Sequence, residues 1–401
     1  TTMKYVIRNH AVGICIAASL LAGVVPNADA DVITDWNIKA GEIVTESKLG
    51  TPPAIRAMAI VQTSVYEAVN ATAPGASVES AVAAANRATL TKLMPSQQAS
   101  IDAAYQAALA QIADGTAKTA GIAVGEQAAA AVLARRADDG ALPAESHRPH
   151  TTAGTYVPTA TPAVTQWSQR KPWLMASAAQ FRPGPPPALT SDAWARDYNE
   201  VKSFGAKNST RRSAEQTEIA RFWEYSLPAI YYGVVRSVAQ VPGRDMTQNA
   251  RMFAAVAQAM DDAMIGVFEA KYHYNFWRPA TAVRNGDIDG NDATQREASW
   301  TSFIDAPMHP EYPSAHSILA AAVGTVLKAE IGKGPMPVLT TTSPTAKGAP
   351  RRWTNLDDFT REVGDARIYE GIHYRTSTDV GIAMGKQIGA LTVEKFLQIA
   401  H

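Results

Sequence analysis

The chain has 401 residues, 46% of them apolar, with 37 basic and 37 acidic side chains and one cysteine. Such a balance gives no general affinity for nucleic acid or acidic membrane surfaces, so any cationic focus has to be local. Cys15 is the only cysteine, which excludes disulfides within the chain and thiolate metal sites or nucleophiles beyond it.

Residues 1–30 read as a secretory signal. After Thr1-Thr2, which resemble a cloning remnant, come Met3, Lys4, Arg8 and His10, an apolar run from Ala11 to Val25, and a small-x-small site at Ala28-Asp29-Ala30. Cys15 falls inside the run rather than after it, which argues against a lipoprotein anchor. The expectation is cleavage after Ala30 and a periplasmic or secreted bacterial protein without a membrane anchor. Without Lys4, Arg8 and Asp29 the charged residues number 35 basic and 36 acidic, a net charge near −1. Nothing beyond residue 30 offers eighteen uninterrupted apolar residues. The remaining length suits one large all-helical domain over 31–401.

Helical periodicity dominates and no segment reads as a convincing strand, so the expected class is all-α, one or more helical bundles with long ordered loops. Pro52-Pro53 precede an amphipathic stretch, Ala54 to Asn70, whose apolar face includes Ile55, Met58, Val61, Val65 and Val69. Alanine-rich helices are predicted over 81–93, 96–113 and 117–136, with Ser96 as an N-cap and Gly115 as a stop. Such helices approach one another closely and depend on tertiary packing. From Asp138 to Pro187 the periodicity fails amid proline and threonine, yet Trp167 and Trp173 need burial. That segment is expected as an ordered loop over the bundle. Helices resume over 191–204, 214–225, 231–241 and 247–277. A polar loop covers 284–313, and the last helices span 314–331, 356–369 and 376–400.

Three strings in the last third carry charge and titratable groups. In KYHYNFWRP, Lys271 and Arg278 stand seven apart, so on one continuous helix their directions differ by about 20°. Pro279 would then end that helix. Two surface cations at a helix end would look the same. In HPEYPSAHS, Ser314 is a natural N-cap for SILAAAVGTVL, which frees the amides of Ala315 and His316 to face an anion. His316 would exchange protons with that anion, although an ordinary cap followed by an idle histidine fits the string equally. In RIYEGIHYR, Arg367 and His373 stand six apart, about 120° on a helix. Gly371 can break the helix and let them converge; alternatively Arg367 pairs with Asp365 or Glu370 on the surface. Three cations, a hydroxyl, a helix N-terminus and two imidazoles suit a tetrahedral, multiply charged oxyanion such as phosphate or vanadate.

Taken in order, Lys-x6-Arg-Pro, Pro-Ser-x-His and Arg-x5-His resemble the signature of the type 2 phosphatidic-acid phosphatase superfamily, which includes bacterial acid phosphatases and vanadium-dependent haloperoxidases. FWRP followed by Val283-Arg284 is similar to the first motif of fungal chloroperoxidases, and His-Pro-x-Tyr-Pro-Ser-x-His to the second motif of algal bromoperoxidases. The resemblance implies an active site within residues 265–380 that holds vanadate, or phosphate in its place. It implies Lys271, Arg278, Ser314, the Ala315 amide and Arg367 on the equatorial oxygens, and His373 as the axial vanadium ligand. His316 becomes the acid–base group, and Lys271 polarises bound peroxide. His309, where bromoperoxidases carry histidine and chloroperoxidases phenylalanine, would tune halide choice, bromide before chloride. Three residues depart from the pattern: Ala315 replaces glycine, Ala366 replaces serine, and Ser377 replaces an aspartate, with Asp379 two residues late.

Other candidates are weaker. NGDIDGND places Asn285, Asp287 and Asp289 at calcium-loop spacing, but position twelve is Arg296 and Glu297 is out of register. His147 and His150 read as solvated, and His273 as packing beside the pocket. Three functions remain. One is a vanadate-dependent haloperoxidase converting halide and hydrogen peroxide to hypohalous acid, favoured by the motif context and the chain length. The second is an exported acid phosphatase acting on small phosphomonoesters, with His373 attacking phosphorus and His316 protonating the leaving alcohol. The third is a non-catalytic oxyanion binder.

Overall fold

The computed structural model describes residues 31–142 and 151–397; residues 1–30, on which the expected signal falls, and His147 and His150 lie outside the described residues. Helix α1 (Val32–Glu46) is capped by Asp31, whose carboxylate accepts from Thr34 N at 2.8 Å. Periodicity did not foretell it. Helix α2 (Thr51–Ala71) begins on its prolines, where a missing N–H costs nothing. Three alanine-rich helices follow, α3 (Val78–Leu93), α4 (Gln98–Ala110) and α5 (Thr116–Arg136). A Cβ at Gly125 of α5 would lie 2.2 Å from Ala81 O of α3, so glycine permits that close approach.

Helices α6 (Asp192–Phe204), α7 (Ala214–Trp223) and α8 (Ala229–Ala239) lead to α9 (Met246–Tyr274), whose 29 residues run through the core. Asp245 and Gln248 form a capping box at the start of α9. The short α10 (Pro279–Arg284) precedes α11 (Ala315–Ile331), α12 (Leu356–Tyr369) and α13 (Arg375–Leu397). α9 packs on α2, α11 and α13, and one contiguous apolar core reaches from Ile33 to Ile388. Glycines 381, 385 and 389, spaced four apart, line the α13 face against α11. Cβ atoms there would fall 2.7 Å from Ser314 O, 2.3 Å from Ile318 O and 2.5 Å from Thr325 Cβ. This stripe draws α13 against the N-terminus of α11, where the site lies.

Two departures from the sequence reading concern the backbone. An antiparallel pair, β1 (Leu339–Thr342) and β2 (Pro350–Trp353), pairs Leu339 with Trp353 through Thr342 with Pro350, so strands are present after all. Neither strand alternates apolar and polar residues, so period-two patterning was invisible. Pro279 does not end the helix that carries Lys271. α9 stops at Tyr274, where Asn275 takes a left-handed conformation (φ 49°) and its N–H bonds Lys271 O at 2.7 Å, and Pro279 instead opens α10.

The loop over residues 151–187 is ordered as expected. Two fully buried carboxylates of α9 hold it. Asp262 accepts from the amides of Trp173, Leu174 and Met175 at 2.7–3.0 Å. Asp261 takes Arg170 Nη1 at 2.6 Å, Arg170 Nη2 at 2.9 Å and Trp173 Nε1 at 2.7 Å. Removing one partner of such a buried pair costs about 3–5 kcal/mol, because the other charge is stranded.

Candidate active site

The N-terminus of α11, the C-terminal ends of α9 and α12, and the turn before α13 meet at one place. Ser314 is the N-cap, as its sequence position indicates. Its Oγ accepts from Ser317 N (3.4 Å) and Ser317 Oγ (3.0 Å), which leaves its own proton free to donate. The amides of Ala315 and His316, at the first two helical positions, have no acceptor among the described residues. The Ala315 departure therefore leaves the amide in place.

Gly371, at φ 78°, ends α12 and turns the chain so that His373 doubles back toward Arg367. Arg278, held extended as the N-cap of α10, reaches the same spot. Its Nη1 donates to Ile372 O (2.9 Å) and lies 3.2 Å from His373 Nε2, and its Nη2 lies 3.0 Å from His309 Nδ1. Arg367 is buried rather than on the surface. Its Nη1 donates to Trp223 O (3.0 Å) and lies 2.6 Å from Glu370 Oε2, while its Nε is buried without a partner. Of the two alternatives for Arg367, Asp365 instead pairs with Arg375 and Glu370 is the real neighbour. Lys271 is fully buried in the cluster, but its ammonium donates to three carbonyls, Pro310 O (3.0 Å), Glu311 O (2.9 Å) and Pro313 O. Here Lys271 ties down the turn before α11, and it has no spare donor.

His373 is oriented by a residue the sequence reading passed over. Glu311, the third residue of HPEYPSAHS, is fully buried and lies 2.6 Å from His373 Nδ1. The same carboxylate accepts from Tyr374 N (3.1 Å) and Ser377 Oγ (2.6 Å). With Nδ1–H donated to Glu311, His373 turns the lone pair of Nε2 toward Arg278. Ser377, one of the departures from the family pattern, thus supports Glu311, whereas Asp379 lies by Arg375 and Asp365. No sequence signal marked Glu311; only its burial, which demands a partner, reveals the role.

Burial pushes Glu311 up to about 7 and Glu370 to about 8. Burial, reinforced by neighbouring cations, holds His309, His316 and His373 well below the usual imidazole range, so all three are neutral. Burial likewise lowers Lys271, and brings Arg278 down to about 10. His316, on the first turn of α11, lies 3.3 Å from Tyr225 O through Nε2; a carbonyl only accepts, so that nitrogen carries the proton. His309 is half-buried and stands edge-on to Phe268 at 5.0 Å.

A cavity of about 560 Å³ opens on this cluster, lined by His309, Ala315, His316, Arg367 and His373 among others. Three cations and unpaired amide donors around a neutral imidazole fit a multiply charged oxyanion. An orphaned Arg367 Nε and two free amides are the donors such an anion would satisfy. The remaining candidates lie elsewhere. His273 is exposed and packs on Tyr274. Asp289 is taken by Trp194 Nε1, Thr294 Oγ1 and Asn291 N, as befits a turn rather than a calcium loop. No group of three or more carboxylate, histidine or cysteine side chains suited to a metal ion occurs among the described residues; an oxyanion held by cations needs none.

Comparison with known proteins agrees with this architecture. Residues 251–401 match the family model of the VCPO second helical-bundle domain. The vanadium chloroperoxidase of Curvularia inaequalis is 32% identical over 168 residues, a match covering 34% of this chain and 28% of that protein's length. The crystal structure of a bacterial vanadium-dependent iodoperoxidase superposes with a TM-score of 0.78 at 24% identity, covering 91% of this chain and 96% of that one. A bacterial vanadium-dependent chloroperoxidase in its holo form superposes with a TM-score of 0.70 at 17% identity, covering 90% and 96%. The chain has the mainly helical fold of bacterial vanadium-dependent iodo- and chloroperoxidases, and its residues 251–401 match the second helical-bundle domain of the VCPO family model.

Proposed function

We propose that the protein is a vanadate-dependent haloperoxidase that oxidises halide, bromide before chloride, with hydrogen peroxide. The observation that carries this reading is Arg278 at 3.2 Å from His373 Nε2, whose tautomer Glu311 sets, beside a cavity lined by Ala315, His316, Arg367 and His373. His373 would ligate vanadium, and Arg278, Arg367, Ser314 and the Ala315 amide would hold the oxygens. Lys271 would join them by exchanging one of its three carbonyl acceptors for an oxygen. Bound vanadate supplies a Lewis acid that polarises hydrogen peroxide for two-electron transfer from halide.

The protein's own groups supply the rest. Fixed guanidinium groups and amides balance negative charge without reorganising, in a site shielded from bulk water. Neutral His316, with its proton on Nε2, has a basic nitrogen to take a proton from peroxide and return it as halide, peroxide and one proton become hypohalous acid and water. His309, in contact with Arg278 and Phe268, stands at the cavity where halide would arrive. Export is part of the reading on the strength of residues 1–30; no helix among the described residues is long and apolar enough to cross a membrane.

The test is a paired assay with and without orthovanadate, of peroxide-dependent bromination and iodination and of p-nitrophenyl phosphate hydrolysis. Halogenation that requires vanadate is the expected result. Brisk phosphate ester hydrolysis inhibited by vanadate, with no halogenation, would make the protein a phosphatase; silence in both would leave an oxyanion binder.

A further inference from the structure

Halide and hydrogen peroxide are each near the size of a water molecule, which occupies about 30 Å³ in the liquid. The cavity beside His316 and His373 is far larger, about 560 Å³, and small-molecule sites span roughly 300–1,000 Å³. Much of its wall is apolar, from Pro52 and Pro53 at the start of α2, Met264 and Phe268 on α9 and Leu319 on α11. Met264 and Leu319 are each 1% exposed, so they form the packed backing of that wall.

The loop closes another side with Val164, held at φ 44°, a left-handed conformation that β-branched residues avoid. Ala163 is pinned on both sides, its N–H to Met308 O at 2.6 Å and its carbonyl to the Tyr272 hydroxyl. Strain of this kind persists only where the surroundings over-determine it, and it clusters at ligand sites. Glu224, 3.4 Å from Arg221, and Asp305 add two carboxylates to the lining, whose one cation, Arg367, belongs to the oxyanion site and is balanced when that site is filled.

We propose that this cavity binds the organic acceptor, a neutral or cationic electron-rich aromatic or alkene, and that the acceptor is halogenated while bound. The inference rests on the haloperoxidase reading. Hypohalous acid transfers its halogen to carbon: the oxygen–halogen bond breaks as the carbon–halogen bond forms. Its electron pair leaves on hydroxide, which on an aromatic takes the displaced ring proton and becomes water and on an alkene adds to the second carbon to give the halohydrin. The two oxidising equivalents come from hydrogen peroxide by way of the halide.

Indole, tryptamine and indole-3-acetate share a ring and differ in charge. Calorimetric titration into the full-length protein saturated with inorganic phosphate should show indole and tryptamine binding at least tenfold tighter than indole-3-acetate. The pair Glu224→Gln with Asp305→Asn should bring that gap below threefold. With vanadate, bromide and peroxide, wild type should give a product distribution on indole at least fivefold different from that of reagent hypobromite. Met264→Trp should revert to the reagent distribution while keeping triiodide formation from iodide, without acceptor, within twofold of wild type. Val164→Gly, which relieves the left-handed strain and widens the wall, provides a second variant should Met264→Trp fail to fold; it should shift the distribution in the same assay. No indole binding, or a wild-type distribution equal to the reagent's, overturns the proposal. Absence of triiodide from vanadate-loaded wild type overturns the haloperoxidase reading, and halogenation in the cavity with it.

Discussion

Glu311→Gln probes the support behind the oxyanion site. The Glu311 carboxylate takes three donors, His373 Nδ1 at 2.6 Å, Tyr374 N at 3.1 Å and Ser377 Oγ at 2.6 Å. Glutamine keeps the size and one acceptor oxygen, which can serve Nδ1 and the amide while Ser377 rotates to accept from the new NH2. The fold should therefore survive, but the negative charge behind the imidazole is gone. Partners that hold the far nitrogen of a metal-bound histidine contribute about 10–100-fold to affinity. Vanadate binding should weaken by that factor, about 1.4–2.8 kcal/mol. Glu311→Ala is harsher, because Nδ1 and the Tyr374 amide lose their acceptor in a dry site, at about 1–3 kcal/mol each. Equilibrium dialysis against orthovanadate gives the affinities, and thermal melts give the stabilities. A folded Glu311→Gln protein that holds vanadate as tightly as wild type would refute this role for Glu311.

Other expected outcomes follow from the same geometry. His373→Ala should abolish vanadate retention, whereas His316→Ala should keep the anion and lose turnover; equal retention in wild type and the His373 variant contradicts the assignment. Gly371→Ala forces a side chain into a left-handed conformation and sets its Cβ 2.2 Å from Gly205 O. The conformation alone costs roughly 1–2 kcal/mol, and the backbone clash adds to it, so urea midpoints should fall clearly and oxyanion affinity with them. Burial raises Glu370 to about 8. Between its unfolded value and 8 the folded chain keeps a proton that the unfolded chain has lost, so the stability from this group declines as pH rises. From pH 6.5 to 8 the decline is about 1–2 kcal/mol, and Glu370→Gln should flatten the measured slope by that amount; an unchanged slope speaks against it.

Much of the fold was legible because its signals are local. Wide apolar faces and proline or serine starts gave the helices around 54–70, 191–204 and 356–369 within a few residues of their observed ends. Helix α1 escaped because Asp35, Asn37, Lys39 and Gly41 interrupt its apolar stripe, even though Asn37 and Gly41 are buried. The hairpin escaped because Leu339–Thr342 and Pro350–Trp353 are stabilised by pairing with each other and by packing on α8, which no periodicity records. At the site, the types and order of Lys271, Arg278, Ser314, His316, Arg367 and His373 sufficed to expect that they meet. Their hydrogen-bond partners could not be read, since Glu311 and Glu370 look like surface residues until burial is known. The carbonyl ligation of Lys271 depends on how the 310–313 turn folds, a tertiary fact.

A crystal structure of the protein soaked in orthovanadate is the most direct measurement. The expected density is a vanadium atom bonded to His373 Nε2, with Arg278, Arg367 and the start of α11 on its oxygens. Vanadate bound elsewhere, or a His373 imidazole still paired only with Arg278 and Glu311 at saturating vanadate, would contradict the assignment of this site.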